Sequence, residues 1–198
     1  MNQQKQQVIH FIGIAGIGMS AIADVLLDLG YRVQGSDLRE NSETKKLSSK
    51  GASIIQGHAE DNIQGADVVV YSSAVPETNP EIQAARAQNI PILRRAEMMA
   101  ELMRKKRSVV VAGSHGKTTT TSMIAHVMLE HDLDPTFVIG GRVKSKQSNA
   151  YVGKSSWFVA ESDESDGSFL HLFPEVGVVT NIDHEHLNHY GDFENLRS

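Results

Sequence analysis

The 198-residue sequence predicts an α/β protein built on parallel β-sheets. Short β-branched runs alternate along the chain with segments whose apolar residues recur at helical spacing. This alternation is typical of parallel strands joined by helices. Two of the runs, at residues 8–12 and 108–112, lead directly into glycine-containing loops that are each followed by a helix pattern. That order is typical of nucleotide-binding proteins.

Composition limits the classes of function. The formal net charge of −5 argues against a general nucleic-acid or anionic-membrane surface, because both need basic excess. The chain has no cysteine, which excludes disulfides, thiolate metal sites and cysteine nucleophiles. Residues 1–7 are polar, and no apolar run approaches the roughly 18 residues of a membrane span. We therefore expect a cytoplasmic protein without nucleic-acid or membrane partners.

The first half of the chain predicts a Rossmann-like domain. Its strands are predicted at residues 8–12, 32–35, 53–56, 67–71 and 90–93. Its helices are predicted at residues 19–29, 44–50, 80–88 and 96–103. Ser72 and Ser73 follow the fourth strand at its carboxyl end, where open parallel sheets collect ligands.

The glycine loop at residues 13–18 is spaced Gly-x-x-Gly-x-Gly. Nicotinamide-binding loops favour Gly-x-Gly-x-x-Gly, so the spacing weakens a nicotinamide interpretation. We expect instead another ligand that contains a pyrophosphate, with Asp37 accepting hydrogen bonds from a ribose. The alternative is that the glycines serve only a tight turn and close packing of helix on sheet.

A second glycine loop predicts a phosphate site. Gly113-Ser114-His115-Gly116 follows a strand, and Lys117 and Thr118 open a helix whose apolar residues recur at Met123, Ile124, Val127 and Met128. Backbone N–H groups at a helix start face a bound anion, and the helix dipole favours its charge. The Lys117 ammonium would reach the outer phosphates of a nucleotide, and the Thr118 hydroxyl would bind magnesium. The loop is shorter than the full eight-residue pattern, and an ordinary helix start is the alternative.

The basic run at residues 104–107 separates the two halves. Four basic residues that close one helix and enter the next strand are better explained as dipole compensation and a hinge than as a nucleic-acid patch. We therefore predict a first domain at residues 1–104 and part of a second, P-loop domain at residues 105–198.

Acidic and histidine clusters follow the later strands. Strands are predicted at residues 136–139, 156–160 and 176–180, and a basic, flexible loop at residues 140–146. Glu161 ends one strand and is the best magnesium carboxylate, whereas Asp163, Glu164 and Asp166 are better explained as solvated charges. His184, His186 and His189, with Asp183 and Glu185, follow another strand, but their spacing is not that of a helical zinc protease. One of these histidines is expected at the nucleotide–metal centre, and spacing does not select it.

Together these segments resemble the Mur ligase family of ATP-dependent amide-forming ligases. The resemblance is carried by residues 12–20, 35–37, 72–75, 112–120, 159–166 and 180–187, in the order and spacing of that family. It implies substrate-binding roles for Gly16, Ile17, Gly18, Met19, Ser20, Asp37, Ser72 and Ser73. It implies cofactor-binding roles for Gly113, Ser114, His115, Gly116, Lys117, Thr118 and Thr119. Catalytic roles are implied for Lys117, Thr118, Glu161 and His186, and the last three would be metal ligands.

The resemblance also implies an activity. ATP and Mg²⁺ would activate the carboxylate of UDP-N-acetylmuramate as an acyl phosphate, and L-alanine would then attack it. Glu185 and Asn188 depart from the family pattern, which leaves the carboxylates of the metal shell open. The chain stops inside the family's central domain, so we expect it to bind the sugar nucleotide without turnover. The alternatives are a ligase that attaches a preformed peptide, a nicotinamide-dependent oxidoreductase and a non-catalytic nucleotide-sensing module.

Overall fold

A computed structural model describes residues 7–143, 146, 148–162, 172–184 and 192. The chain divides into two compact units, unit 1 at residues 1–98 and unit 2 at residues 99–198. The division falls within the last helix of the predicted first domain, between Met98 and Met99. Both units are α/β, and the predicted fold class is confirmed by the parallel sheets described below.

Unit 1 is a five-stranded parallel sheet with helices between its strands. The strands are β1 (Val8–Ile12), β2 (Arg32–Asp37), β3 (Ser53–Gln56), β4 (Val68–Tyr71) and β5 (Ile92–Arg94). The helices are α1 (Ile17–Asp28), α2 (Ser42–Ser49), α3 (Pro80–Ala87) and α4 (Arg95–Met103), with a short 3₁₀ helix at Glu60–Ile63. The strand order is β3-β2-β1-β4-β5, which is the Rossmann-like order expected for alternating strands and helices.

The middle strand forms the centre of this unit. Every residue of β1 is buried, because β1 has a neighbour on each side and helices cover both faces of such sheets. One hydrophobic cluster joins strand and helix residues, namely Ile12, Ile63, Val69, Tyr71, Ile82 and Ala85. This packing places the carboxyl ends of β1 and β4 beside each other.

Helix starts in unit 1 are set by capping. The α2 helix begins at Ser42, two residues before the predicted start, because the Asn41 carboxamide oxygen accepts hydrogen bonds from the Glu43 and Thr44 amides at 3.0 Å. The Thr44 hydroxyl accepts in return from the Asn41 amide at 3.0 Å. This reciprocal pair is a capping box, which satisfies donors that a helix end leaves open.

Unit 2 is a mixed five-stranded sheet. Its strands are β6 (Arg107–Ala112), β7 (Thr136–Val143), β8 (Ser148–Tyr151), β9 (Trp157–Glu161) and β10 (Val176–Val179), and its helix is α5 (Lys117–Glu130). The strand order is β10-β6-β9-β7-β8, and only the β7–β8 pair is antiparallel among the described pairings. The order places β6 between β10 and β9, so the loop after β6 is flanked by the ends of both.

One prediction for unit 2 is wrong. Residues 140–146 were expected as a loop, but β7 continues to Val143 and pairs with the unpredicted β8. The sequence pattern did not indicate this part of the strand, because glycine and basic residues have low β-propensity. The strand is stabilised by pairing with β8 and not by local propensity.

The helix predicted from Lys117 is observed as α5. Its apolar residues are only partly in the core: Met128 is buried and Ile124 packs against the core cluster, whereas Met123 and Val127 are more than half exposed.

None of the described helices has both the length and the apolar character needed to cross a membrane.

The Gly35→Ala variant should lower the free energy of unfolding of unit 1 by about 3 kcal/mol. A Cβ at Gly35 would lie 2.7 Å from the Phe11 carbonyl oxygen and from Ile14 Cδ1. The Phe11 oxygen belongs to the central strand and cannot retreat. Urea unfolding followed by circular dichroism measures the loss.

Gly65→Ala is the matched control for this prediction. Gly65 has a positive φ of 77° but open space where its Cβ would stand, so its substitution should cost only about 1 kcal/mol of backbone strain. Equal losses at the two positions would contradict the steric account of Gly35.

Candidate functional site

The carboxyl edge of the sheet in unit 1 brings the predicted substrate loops together. From β1 the chain adds β2 and β3 on one side of the sheet, and then returns to add β4 and β5 on the other side of β1. This reversal makes the edge at β1 and β4 a topological switch point. The loops after β1 and β4 meet there. A Cβ at Gly13 would lie 3.5 Å from Val75 Cγ2 and 4.0 Å from Ser72 Oγ. Open α/β sheets bind ligands at such a crevice.

The end of β2 anchors the glycine loop. The Ser36 carbonyl oxygen accepts hydrogen bonds from the Gly13 and Ile14 amides at 2.9 and 3.1 Å. The Asp37 carboxylate accepts from the Ala15 amide at 2.9 Å and from the Arg39 amide at 3.1 Å. Asp37 therefore holds the loop itself. A contact of Asp37 with a ribose, which would use the remaining lone pairs of this carboxylate, stays a prediction.

The predicted substrate residues of α1 differ in exposure. Gly16 is the N-cap of α1, and Ile17 is exposed at the first helical position. Met19 and Ser20 are both 2% exposed, and the Ser20 hydroxyl donates to the Ile17 carbonyl oxygen at 3.0 Å. A ligand at this loop would therefore contact the backbone around Gly16–Gly18 and not the side chains of Met19 and Ser20.

Arg95 lies against the glycine loop, and sequence reasoning missed it. A Cβ at Gly18 would stand 2.6 Å from Arg95 Nη1 and 3.3 Å from Arg95 Cδ. The absence of a side chain at Gly18 thus makes room for a guanidinium beside the positive end of α1. Spacing could not reveal this contact, because it joins the first and last helices of the unit.

In unit 2, the loop after β6 has the form of a tight phosphate loop. Gly113 has a φ of 124° and Gly116 a φ of 80°, and Gly116 is the N-cap of α5. Both values lie in the region that favours glycine. A Cβ at Gly113 would also collide with the Thr180 hydroxyl and would lie 2.7 Å from the Asn181 carbonyl oxygen. Strand, loop and helix therefore follow the predicted order, with Lys117 as the first helical residue.

The segment after β10 holds this loop in place. The Asn181 main-chain oxygen accepts from the Ser114 amide, and its side-chain oxygen accepts from the His115 amide, both at 3.0 Å. The Asn181 side-chain nitrogen and the Thr180 hydroxyl both donate to the His115 carbonyl oxygen, at 2.9 and 2.6 Å. The Asp183 amide donates to the Ser114 hydroxyl at 2.9 Å. The Ser114 and His115 amides, which we expected to face a phosphate, are thus committed to Asn181.

The donors at the start of α5 complete the loop. The Lys117 ammonium donates to the carbonyl oxygens of Gly113 at 2.7 Å and Ser114 at 3.4 Å, so it lies over the loop. Thr118 and Thr119 are exposed in the first helical turn. Amides in a first turn have no carbonyl one turn earlier in the helix to bond. This turn is therefore the part of the loop best suited to receive an anion.

Thr118 and Glu161 come together beside that turn. The Thr118 hydroxyl donates to Glu161 Oε2 at 2.8 Å, and the Gly140 amide donates to Glu161 Oε1. A Cβ at Gly141 would lie 2.6 Å from Thr118 Cγ2, so the two glycines of β7 leave space for this pair. Gly140 and Gly141, which suggested a loop in the sequence, are residues of the strand β7. Because they have no side chain, they leave room for Thr118 and Glu161.

The donor set here suits magnesium. A hydroxyl and a carboxylate are hard oxygen donors, and Mg²⁺ needs only one or two protein groups beside phosphates and water. Within the described ranges, no group of three or more histidine, aspartate or glutamate side chains is placed to hold a metal. The other candidates, His186, Asp163, Glu164, Asp166, Glu185 and His189, lie outside the described residues.

These features define a class of protein: an α/β protein in which a Rossmann-like unit precedes a P-loop-type unit. Family comparison agrees with that class. The model described as the catalytic domain of the Mur ligase family matches residues 8–107, and the Mur ligase middle domain matches residues 111–198. The chain belongs to the Mur ligase family, whose members are ATP-dependent amide-forming ligases.

Individual relatives carry a more particular name. The UDP-N-acetylmuramate–L-alanine ligase of Myxococcus xanthus is 60% identical over 96% of this chain, which corresponds to 40% of the relative. The enzyme of that name from Aquifex aeolicus is 54% identical over 100% of this chain and 43% of its own length. The chain therefore spans about two fifths of the relatives that it matches.

Two solved structures of ligases superpose closely on this chain. The UDP-N-acetylmuramate-alanine ligase from Thermotoga maritima superposes with a TM-score of 0.90 at 37% identity, over 97% of this chain and 45% of that one. A UDP-N-acetylmuramate:L-alanyl-γ-D-glutamyl-meso-diaminopimelate ligase from Neisseria meningitides also has a TM-score of 0.90, at 26% identity, over 97% of this chain and 65% of that one.

The Asn181→Ala variant should loosen the phosphate loop. It removes the two side-chain hydrogen bonds to His115, and each neutral bond contributes about 1 kcal/mol. The His115 amide should then exchange with solvent roughly thirtyfold faster, as measured by NMR.

Ile182→Ala is the control for that measurement. Ile182 lies next to Asn181, and its side chain is 47% exposed. This variant should leave the exchange of the His115 amide unchanged. If both variants gave the wild-type rate, the assigned role of Asn181 would be wrong.

Proposed function

We propose that this chain is the nucleotide-binding part of a ligase of peptidoglycan precursor synthesis. The ligase would use ATP and Mg²⁺ to join L-alanine to the carboxylate of UDP-N-acetylmuramate through an acyl phosphate. The observation that carries the proposal is the Thr118–Glu161 contact at the start of α5, beside a loop that presents Lys117. The names of the relatives at 54% and 60% identity support the choice of substrates.

Unit 2 would bind the phosphates of ATP. The amides of the first turn of α5 and the Lys117 ammonium would stabilise the charge that develops on the transferred γ-phosphoryl group. Thr118 and Glu161 would hold Mg²⁺ with phosphate oxygens, and His186 is proposed as a further ligand from the resemblance. Bound there, Mg²⁺ would bridge the phosphates and offset their negative charge.

Unit 1 would bind the UDP end of the sugar nucleotide. The diphosphate would lie at Gly16, Ile17 and Gly18, where the backbone is accessible and the dipole of α1 favours an anion. Arg95 would add a positive charge beside Gly18, and Ser72 and Ser73 would border the ligand from the loop after β4. Binding energy from this remote end would position the carboxylate for attack on the γ-phosphate.

No covalent enzyme intermediate is needed in this scheme. The substrate carboxylate attacks the γ-phosphorus and ADP leaves. The amine of L-alanine then attacks the acyl carbon, and inorganic phosphate departs as the amide forms. The role of the described residues is to hold the two substrates and to stabilise charge on the phosphoryl group. Because the relatives are more than twice as long, we propose that this chain binds both nucleotides but does not complete the reaction alone.

One alternative has a specific observation in its favour. The 26%-identical structure with a TM-score of 0.90 is named as a ligase for a preformed peptide on the same sugar nucleotide. The higher identity of the L-alanine ligases favours a single amino acid. A protein that comprises this chain and the remaining length of its relatives should release phosphate with L-alanine. Phosphate release only with the tripeptide would select the alternative.

Calorimetric titration of the chain tests the proposal directly. We expect binding of UDP-N-acetylmuramate and of ATP with Mg²⁺, no binding of NADH, and no phosphate release when L-alanine is added. NADH binding without sugar-nucleotide binding would establish the oxidoreductase alternative. Binding of ATP without the sugar nucleotide would favour the nucleotide-sensing alternative.

The Lys117→Ala variant should weaken ATP binding at least about tenfold, because a charge-assisted contact to phosphate contributes about 1.5–3 kcal/mol. Affinity for UDP-N-acetylmuramate should not change, since Lys117 lies in unit 2. Lys105→Ala is the matched control, because Lys105 is exposed just before β6, at the opposite end of that strand from the loop. Wild-type ATP affinity in the Lys117 variant would overturn its assigned role.

The Glu161→Gln variant should remove the dependence of ATP affinity on magnesium. The amide keeps the size of the side chain but loses the charge that favours a divalent cation. ATP titrations with and without Mg²⁺ measure the effect. Glu130→Gln, at the exposed end of α5, should retain the full magnesium dependence. If both variants behaved alike, Glu161 would not be a magnesium ligand.

A further inference from the structure

The function proposed above assigns no role to one buried carboxylate in unit 1. Glu81, in the first turn of α3, has no exposed surface. Its amide donates to the Asn79 side chain, which caps the helix, at 2.9 Å. A charge enclosed in a domain core is costly unless hydrogen bonds satisfy it, so the donors around Glu81 indicate its role.

Those donors come from separate elements of the unit. The Ser36 hydroxyl of β2 donates to Glu81 Oε2 at 2.5 Å. His10 Nε2 of β1 lies 3.3 Å from the same oxygen, and the Asn62 side chain of the 3₁₀ helix donates to Oε1 at 2.5 Å. His58 Nδ1, after β3, lies 3.5 Å from Oε2. Glu81 is therefore the point at which the strands β1 and β2 are joined to α3.

The hydrogen-bond directions follow from the chemistry of the partners. The Gln34 side-chain nitrogen lies 3.1 and 3.4 Å from the carbonyl oxygens of Asn62 and Gln64, which identifies it as the NH₂ group. The same nitrogen lies 3.3 Å from His10 Nδ1, so Nδ1 accepts and Nε2 is the ring nitrogen that donates to Glu81.

The carboxylate is held in its ionised form. Burial raises the pKa of Glu81, but hydrogen bonds from His10, Ser36 and Asn62 outweigh that effect and lower the pKa below its ordinary value. The position in the first turn of a helix adds the favourable helix dipole. At neutral pH a negative charge therefore faces the Ser36 hydroxyl.

Ser36 connects this charge to the glycine loop. Its hydroxyl donates to Glu81, while its carbonyl oxygen accepts from the Gly13 and Ile14 amides at 2.9 and 3.1 Å. Ser36 itself is fully buried. The sheet pairs Ser36 with Ile12 and Ile55, and Glu81 adds a hold on the side chain of the same residue whose carbonyl oxygen bonds the loop.

We propose that Glu81 is a positioning residue for the sugar nucleotide: by holding Ser36, it places the glycine loop of unit 1 in the geometry that receives the diphosphate. None of the described hydrogen bonds of Glu81 reaches the glycine loop, so its effect would be transmitted through the Ser36 hydroxyl. The inference rests on the proposed function, since it requires that UDP-N-acetylmuramate binds at this loop.

A double-mutant cycle on the whole chain tests this inference. Glu81→Gln keeps the shape of the side chain and removes its charge, and Ser36→Ala removes the hydroxyl while keeping the carbonyl group. Each variant should weaken binding of UDP-N-acetylmuramate roughly tenfold, which corresponds to about 1.4 kcal/mol. Both changes act on the same hydrogen bond, which Glu81→Gln weakens by removing its charge and Ser36→Ala removes. The double variant should therefore bind no more than about twofold more weakly than the Ser36→Ala variant.

Controls separate positioning from general destabilisation. Ile82→Val trims a fully buried side chain next to Glu81 and lowers stability without touching Ser36, so its affinity should stay at the wild-type value. ATP affinity should be unchanged in all of these variants. Wild-type affinity in both single variants, or fully additive losses, would overturn the inference. Failure of the wild-type chain to bind the sugar nucleotide would instead refute the proposed function.

Acid unfolding provides a second measurement, which does not depend on ligand binding. A lowered carboxylate pKa contributes stability that is fully present above the ordinary glutamate pKa and is lost as the pH falls through the folded value. The wild-type chain should lose stability over that range, and the Glu81→Gln variant should lose less. The other titratable groups facing Glu81, His10 and His58, are common to both proteins. Parallel acid limbs would contradict an ionised Glu81.

Discussion

The structure depends on how the backbone amides of two glycine loops are satisfied. A loop that turns sharply from a strand into a helix cannot pair all of its own amides, and buried amides without partners are costly. In both units the partner is the end of an adjacent parallel strand. The Ser36 carbonyl and Asp37 carboxylate hold the loop after β1, and Asn181 holds the loop after β6. Parallel pairing makes this possible, because it brings successive carboxyl ends to one edge.

This arrangement leaves particular donors for a ligand. In unit 2, Asn181 takes the amides of Ser114 and His115, so an anion would be received by the first turn of α5 and by Lys117. In unit 1, β2 takes the amides of Gly13, Ile14 and Ala15, which leaves the start of α1 as the favourable place for a diphosphate. In each loop, the amides nearest the strand hold the loop in place, and the start of the helix is where an anionic ligand would bind.

Glycines serve the site in a way that spacing alone does not show. Gly18 makes room for Arg95, and Gly140 and Gly141 make room for Glu161 and Thr118. In each case a residue from a distant part of the chain occupies the space that a side chain would fill. Residues 140–143, which the sequence suggested as part of a flexible loop, are thus the end of a strand beside the candidate metal site.

The sequence by itself determined the alternation of strands and helices, the two glycine loops and the place of Lys117, Thr118 and Glu161 at strand or helix ends. Local patterns suffice for these features, because β-branched runs, glycines and helix starts act over a few residues. Only the tertiary structure decided the strand order, the pairing of β7 with β8, and the buried face of α5. It also decided the contacts of Arg95, Asn181 and Glu81, because each joins residues far apart in the chain, and no local pattern records which distant partner will satisfy a buried charge or amide.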